Sequence, residues 1–156
     1  MSEPQAWSAG GSRPGKEKGI EDKPNMKVLM EFACQDCHFM DSTKHDFKAA
    51  TPEQIAANPN CKSCHSNPAD LKKTIEEIQS EVKAGLAKLQ PRLEQAKAWV
   101  AKHGENKDAK EIYTQAQASV NFIVSDFSYG VHNPDYAREL LARSAKLLDQ
   151  FEAEYK

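Results

Sequence analysis

The sequence predicts a mainly α chain, in which an irregular segment over residues 26–70 precedes long antiparallel helices. Three observations support this. From Leu71 onward, apolar residues recur at spacings of three and four. Upstream, Pro52, Pro59 and Pro68 punctuate a stretch that allows short helical turns at best. No segment shows a convincing strand pattern. Residues 1–25 hold four glycines, three prolines and one large apolar group, Trp7, and read as a flexible leader. The expected organisation is one domain: this leader, the segment 26–70, and a helical part over 71–156.

The first long helix carries Leu71, Ile75, Ile78, Val82, Leu86, Leu89, Leu93, Ala96 and Val100 on one face, with Lys, Glu and Gln on the other. Asp70 reads as its N-cap and Gly104 as its stop, a length of about 48 Å at 1.5 Å per residue. Pro91 is expected to bend this helix or break it in two. A second helix is expected from Lys107 to about Phe127, with Ile112, Ala116, Val120, Ile123, Val124 and Phe127 inward. A third starts after His132: Asn133 suits the N-cap, Pro134 the first helical position and Asp135 the positive end of the dipole. Leu140, Leu141, Leu147, Leu148 and Phe151 give it an apolar face.

All four cysteines fall in two copies of Cys-x-x-Cys-His: Cys34 and Cys37 followed by His38, and Cys61 and Cys64 followed by His65. This is the attachment signature of c-type haem. The thiols form thioethers to the haem vinyl groups, and the adjacent histidine reaches the iron from one side. A zinc site could use two Cys-x-x-Cys pairs, but would not explain the histidine after each. A thioredoxin-like motif expects one pair beside a βαβ pattern. Two structural disulfides are the bland alternative. The reading is two covalently bound haems c, with redox chemistry at iron. The motifs are only 27 residues apart, so the haems should be neighbours.

The bulk composition agrees. Apolar residues make up 39% of the 156 and charged residues 28%, a thin core that two haems would supplement with large apolar faces. The formal net charge of -2, made more negative by haem propionates, gives no case for nucleic-acid binding. No apolar run is long enough to span a membrane. Thioether attachment occurs outside the cytoplasm, so a signal peptide is expected to have been removed or replaced, and the expected location is the periplasm or the outer cell surface.

With four iron positions filled by porphyrin, and one each by His38 and His65, the sixth ligand decides function: a second strong-field side chain makes an electron carrier, an open position a catalyst or sensor. His132 follows the turn residue Gly130 and precedes a helix start, which suits a rigid distal ligand; the competing reading is a surface histidine beside a helix cap. His45, seven residues after His38, is too close to reach easily over its own haem. It could serve the second haem, a haem on another protein, or no haem, as an exposed loop histidine. His103, at a helix end, fits a dipole-complementing role. Met26, Met30 and Met40 flank the first motif; Met26 and Met30 are the less favoured distal candidates, because methionines at helical spacing are more often core. Lys27 is a less common option.

The order of these elements is familiar. Cys-x-x-Cys-His, a Lys44-His45-Asp46-Phe47 element, a second Cys-x-x-Cys-His, long helices, and then Gly130-Val131-His132-Asn133-Pro134 resemble the C-terminal part of multihaem cytochromes of the ammonia-forming cytochrome c nitrite reductase type and their octahaem relatives, over about residues 26–150. The resemblance implies that His132 is the distal ligand of the haem on Cys34, Cys37 and His38. It matches His45 to a histidine that serves a haem attached elsewhere in the longer family chain. The family's distal histidine for the second haem lies shortly before the first motif, where this chain has Met26, Lys27 and Met30. The lysine-ligated catalytic haem and the substrate-binding segment are absent, so nitrite reduction by this chain alone is not expected. His45 is then the expected distal ligand of the haem on Cys61, Cys64 and His65, ahead of Met30 or an open site. The resemblance also suggests a homodimer through the long helices, against packing within one chain.

Three functions compete. The first is a dihaem electron carrier between redox partner proteins, with both irons six-coordinate. The second is a haem enzyme or a gas or nitrogen-oxide sensor with one open iron; Arg138 and Tyr136 lie near His132 in sequence, but no clear acid–base pair or arginine clamp is present. The third is a wiring subunit docked to a partner by its helices, with His45 available to the partner's haem.

Overall fold

The structure is a computed structural model that describes Asp36, His38 and residues 50–155. The leader, Trp7, Met26, Lys27, Met30, Cys34, Cys37, Met40 and His45 lie outside the described residues. The described part is helical: α1 (Pro52–Ala57), α2 (Pro59–Lys62), α3 (Pro68–Lys102), α4 (Lys107–Ser125) and α5 (Pro134–Tyr155). No strand occurs among the described residues.

One device opens four of these helices. A cap residue precedes a proline that has no N–H to leave unpaired in the first turn. Thr51 and Pro52 start α1, where Thr51 Oγ1 accepts from Gln54 N at 3.2 Å and Gln54 Oε1 accepts from Thr51 N at 2.8 Å, a capping box. Asn58 and Pro59 start α2, with Asn60 N donating to Asn58 Oδ1 at 2.9 Å. Asn67 and Pro68 start α3, and Asn133 and Pro134 start α5, where Tyr136 N donates to Asn133 Oδ1 at 3.2 Å. The expected Asp70 cap of α3 is therefore corrected. Asn67 is the cap, receiving Ala69 N at 3.0 Å, and Asp70 sits in the first turn with its carboxylate accepting from Asn67 Nδ2 at 2.7 Å. The helix starts before its apolar stripe does.

α3 runs its 35 residues through Pro91 without a break, about 52 Å at 1.5 Å per residue. The proline faces solvent, while Leu89, Leu93 and Ala96 around it are buried against the other two helices. That packing holds the helix on line despite one missing backbone hydrogen bond. At its end His103 is the cap, its N–H donating to the Trp99 and Val100 carbonyls, and Gly104 follows directly as the expected stop.

α3, α4 and α5 form an up-down-up bundle with two core clusters. One joins Leu89, Leu93 and Ala96 of α3 to Ala109, Ala116 and Val120 of α4 and Leu148 and Phe151 of α5. The other joins Val82, Ile123, Tyr136, Ala137 and Leu140. Late α3 thus meets early α4 and late α5, which makes α4 antiparallel to both neighbours. Surface pairs confirm that α3 and α5 run in the same direction. Arg138 forms a two-pronged contact with Glu81 (2.9 and 2.7 Å), and Arg92 meets Asp149 at 2.7 Å, both at the same sequence offset of 57. Small residues bring the helices close. A Cβ on Gly85 would sit 2.7 Å from Leu141 Cδ1, and the buried Ser144 donates to the Ala116 carbonyl at 3.1 Å. Two side chains expected inward on the second helix are not: Val124, in its last turn, is 45% exposed, and Phe127 is 74% exposed because the helix ends at Ser125 and the backbone turns to positive φ there. Val82, Leu89, Leu93 and Ala96 of the α3 stripe are buried within this bundle, the packing within one chain that stood as the alternative to a homodimer.

The core should dominate stability. Leu148→Ala, at a fully buried position, is expected to cost about 2–5 kcal/mol, while Val124→Ala stays within about 0.5 kcal/mol, both read from urea unfolding followed by helical circular dichroism.

Candidate functional site

The first motif histidine and the distal candidate face each other. His38 Nε2 lies 3.5 Å from His132 Nε2, with ring centroids 5.8 Å apart and planes at 60°. The rings meet tip to tip rather than stacked. Two metal–imidazole bonds of about 2 Å each would span about 4 Å. The pair therefore offers two imidazole nitrogens that would hold a haem iron after a small separation.

His132 is held by the loop between α4 and α5. Asp126 caps α4, its N–H donating to Phe122 and Val124 carbonyls. The next residues enter the left-handed region: Phe127 at φ 56°, Tyr129 at φ 51° and Gly130 at φ 91°. Two of these are not glycine, which is uncommon and costly. α3 holds them there. Gln79 Nε2 donates to the Ser128 carbonyl at 3.2 Å, and Lys83 Nζ lies 4.6 Å above the Tyr129 ring. A Cβ on Gly130 would come within 2.8 Å of Val82 Cγ2, so this turn requires glycine twice over. His132 N donates to Ser128 Oγ at 3.2 Å, and Asn133 then caps α5.

Asp126 also fixes the imidazole. Its Oδ1 lies 2.7 Å from His132 Nδ1, and its Oδ2 accepts from Ser128 Oγ. The carboxylate is buried, with 8% of its side chain exposed. A carboxylate only accepts, so Nδ1 is the nitrogen that donates to Asp126, and in the neutral imidazole this leaves the Nε2 lone pair toward His38. The sequence reading missed Asp126 and Ser128. Asp-x-Ser six residues before a histidine looks like ordinary turn chemistry, and the contact exists only because the loop folds back.

The second motif forms one helical turn. Cys61 lies in α2, and Cys64 N (3.3 Å) and His65 N (2.9 Å) both donate to its carbonyl. Cys61, Cys64 and His65 thus stand at i, i+3 and i+4, on one side of a helical turn. Cys61 is half-buried, Cys64 and His65 are exposed, and no disulfide joins the two cysteines. The two motifs are also tied together. Buried Asn58, the cap of α2, donates from Nδ2 to the Asp36 carbonyl at 2.7 Å, and Asn60 Nδ2 adds a second bond at 3.2 Å. Asp36 lies between Cys34 and Cys37.

Other candidates take structural roles. His103 stacks on Trp99 with centroids 3.9 Å apart, and its Nδ1 meets the Trp99 carbonyl at 2.9 Å, at the far end of α3 from both motifs. Arg138 engages Glu81 and Asp135, and Tyr136 packs in the core against Phe122. Neither forms a substrate clamp beside His132. Glu81's carboxyl is held below the usual carboxylate range by its Arg138 hydrogen bond, as the pairing requires.

A helical fold with two Cys-x-x-Cys-His motifs in its sequence and a facing histidine pair defines a multihaem c-type cytochrome, a class that carries covalent haem c. The family model for cytochrome c552 matches residues 25–155, and the chain belongs to that family. The resemblance read from the motif order therefore holds. Among solved structures, outer cell wall cytochrome OcwA is similar, with a TM-score of 0.70 and 27% identity over 93% of this chain. The chain spans 29% of that cytochrome's length. No curated protein matches it.

The loop's dependence on glycine is open to measurement. Gly130→Ala is expected to lose about 1–3 kcal/mol of stability. In a double-mutant cycle with Val82→Ala, part of that loss should disappear while the φ penalty stays; strict additivity would mean the Val82 contact is not its cause.

Proposed function

We propose that this chain is a dihaem electron carrier. Cys34 and Cys37 would attach the first haem, with His38 and His132 holding its iron, and Cys61 and Cys64 would attach the second, with His65 and His45 holding its iron. The observation that carries this reading is the Nε2-to-Nε2 approach of His38 and His132, with Asp126 taking the other nitrogen of His132. When bound, haem c supplies a one-electron ferric/ferrous couple. The residues do the rest. The cysteines hold each haem covalently, His132 closes one iron to exogenous ligands, and the Asn58 and Asn60 amides keep the two motifs side by side so that electrons pass over a short distance. The engagement of Arg138 and burial of Tyr136 argue against a substrate site beside His132, which sets this reading above an open-iron enzyme or sensor.

The haems would exchange electrons with redox partner proteins. Similarity to part of a larger cell-wall cytochrome suggests a wiring role among further haems, at the outer surface or in the periplasm. No helix among the described residues is long and apolar enough to cross a membrane. A homodimer draws no support from the apolar stripes, which are buried within one chain.

The test is carbon monoxide binding to the dithionite-reduced holoprotein, after its mass has shown two haems. Wild-type protein is expected to give no Soret shift. His132→Ala and His45→Ala should each open one iron and give a shift equivalent to one haem. A one-haem shift in the wild type would mean an open iron and move the assignment to catalysis or sensing.

A further inference from the structure

We infer that Asp126 is a positioning residue that sets the reduction potential of one haem, by holding His132 as a strongly electron-donating ligand. This rests on the proposed ligation by His132.

The contact is built rather than incidental. Asp126 Oδ1 meets His132 Nδ1 at 2.7 Å, on a side chain only 8% exposed, and the second carboxylate oxygen is occupied by Ser128 Oγ. A carboxylate that is removed from water and held from both sides acts on its partner with little screening. It draws the Nδ1 hydrogen toward itself and pushes electron density to Nε2. Carboxylate partners of metal-bound histidines raise ligand basicity in this way, and losing them weakens metal binding by roughly 10–100-fold. At a haem iron the consequence is directional. A more electron-rich imidazole, with a buried negative charge behind it, favours the ferric over the ferrous state. The haem exchanges one electron with a redox partner, and no bond forms or breaks at His132.

The backbone shows the same purpose. Three positive-φ positions within four residues, Phe127, Tyr129 and Gly130, turn the chain so that Asp126 and His132, six residues apart, face one another. An ordinary cap would need none of this, because Asp126 already caps α4 through its own N–H. Strain of this kind persists where the surroundings over-determine it, often at functional sites.

The experiment is spectroelectrochemistry of the holoprotein, reading both midpoint potentials in wild type, Asp126→Asn, Ser128→Ala and His132→Ala. Asp126→Asn keeps the shape and an accepting oxygen but removes the charge. It should lower the ferric preference at one haem about tenfold, a rise of about 59 mV for one electron, and leave the other haem in place. Ser128→Ala removes the donor that draws charge from the carboxylate, and should move the same potential down. This opposite sign is not expected of a merely structural role, and keeps the idea testable if Asp126→Asn does not fold. Unmoved potentials in Asp126→Asn, with a His132→Ala spectrum showing a lost ligand, would overturn the role of Asp126 alone. A His132→Ala spectrum identical to wild type would overturn the ligation beneath it.

Discussion

The structure depends on a single constraint: the chain reversing between two antiparallel helices holds the His132 imidazole in a fixed direction, with Nδ1 on Asp126 and Nε2 toward His38. A rigid ligand cannot hang from a relaxed turn, because side-chain freedom would be lost anew at every bond formed. The loop from Asp126 to Asn133 resolves this by removing freedom beforehand. Phe127 and Tyr129 accept left-handed backbone that costs roughly 1–2 kcal/mol per residue. The Lys83–Tyr129 contact returns about 0.5–1 kcal/mol, and the Gln79 amide and the Asn133 cap add more. The strain is local, and α3 and α5 absorb it.

α3 is the beam on which everything else is aligned. Near its start, Lys72 meets Glu53 of α1 at 2.8 Å, beside the second Cys-x-x-Cys-His. That pair is exposed and orients more than it stabilises. Further along, Gln79, Val82 and Lys83 receive the loop that carries His132. The distal end carries neither motif. It is locked by Trp99, Phe151 and Tyr155, whose ring centroids lie 5.1–5.7 Å apart. Aromatic packing is thus concentrated at one end and the placement of His132 at the other, joined by one continuous helix. This is why an unbroken passage through Pro91 matters: a hinge there would uncouple the two.

Much of this was legible in the sequence. The α3 stripe, the Asn133–Pro134 start of α5 and both haem motifs are local patterns, and His132 stands out because a glycine turn and a helix cap bracket it. What stayed hidden depends on the chain returning to itself. The Asn67 cap lies outside the apolar period that marks the helix. The outward turn of Phe127 follows from an αL residue that no propensity for phenylalanine suggests. Asp126 and Asn58 look like generic polar residues of a turn and a cap. They acquire their roles only through partners six and 22 residues away. Polar residues of this sort carry no periodicity, so pattern reading passes over them.

Asn58 and Asp126 share a logic that bears on electron transfer itself. Each is a cap residue with a second task. Asn58 caps α2 through Oδ1 while its Nδ2 holds the Asp36 carbonyl of the other motif. Asp126 closes α4 through its backbone while its carboxylate holds His132. In both cases a helix terminus, which must satisfy its own polar groups in any event, also fixes a group of the proposed haem site. Transferring an electron requires that ligands sit equally well before and after the charge changes, and preorganised polar groups meet that need because they do not rearrange at the moment of transfer. A cap is well suited to this use. Its geometry is set by the helix behind it, so the rigidity of the bundle reaches the His132 imidazole through one hydrogen bond rather than through a flexible side chain.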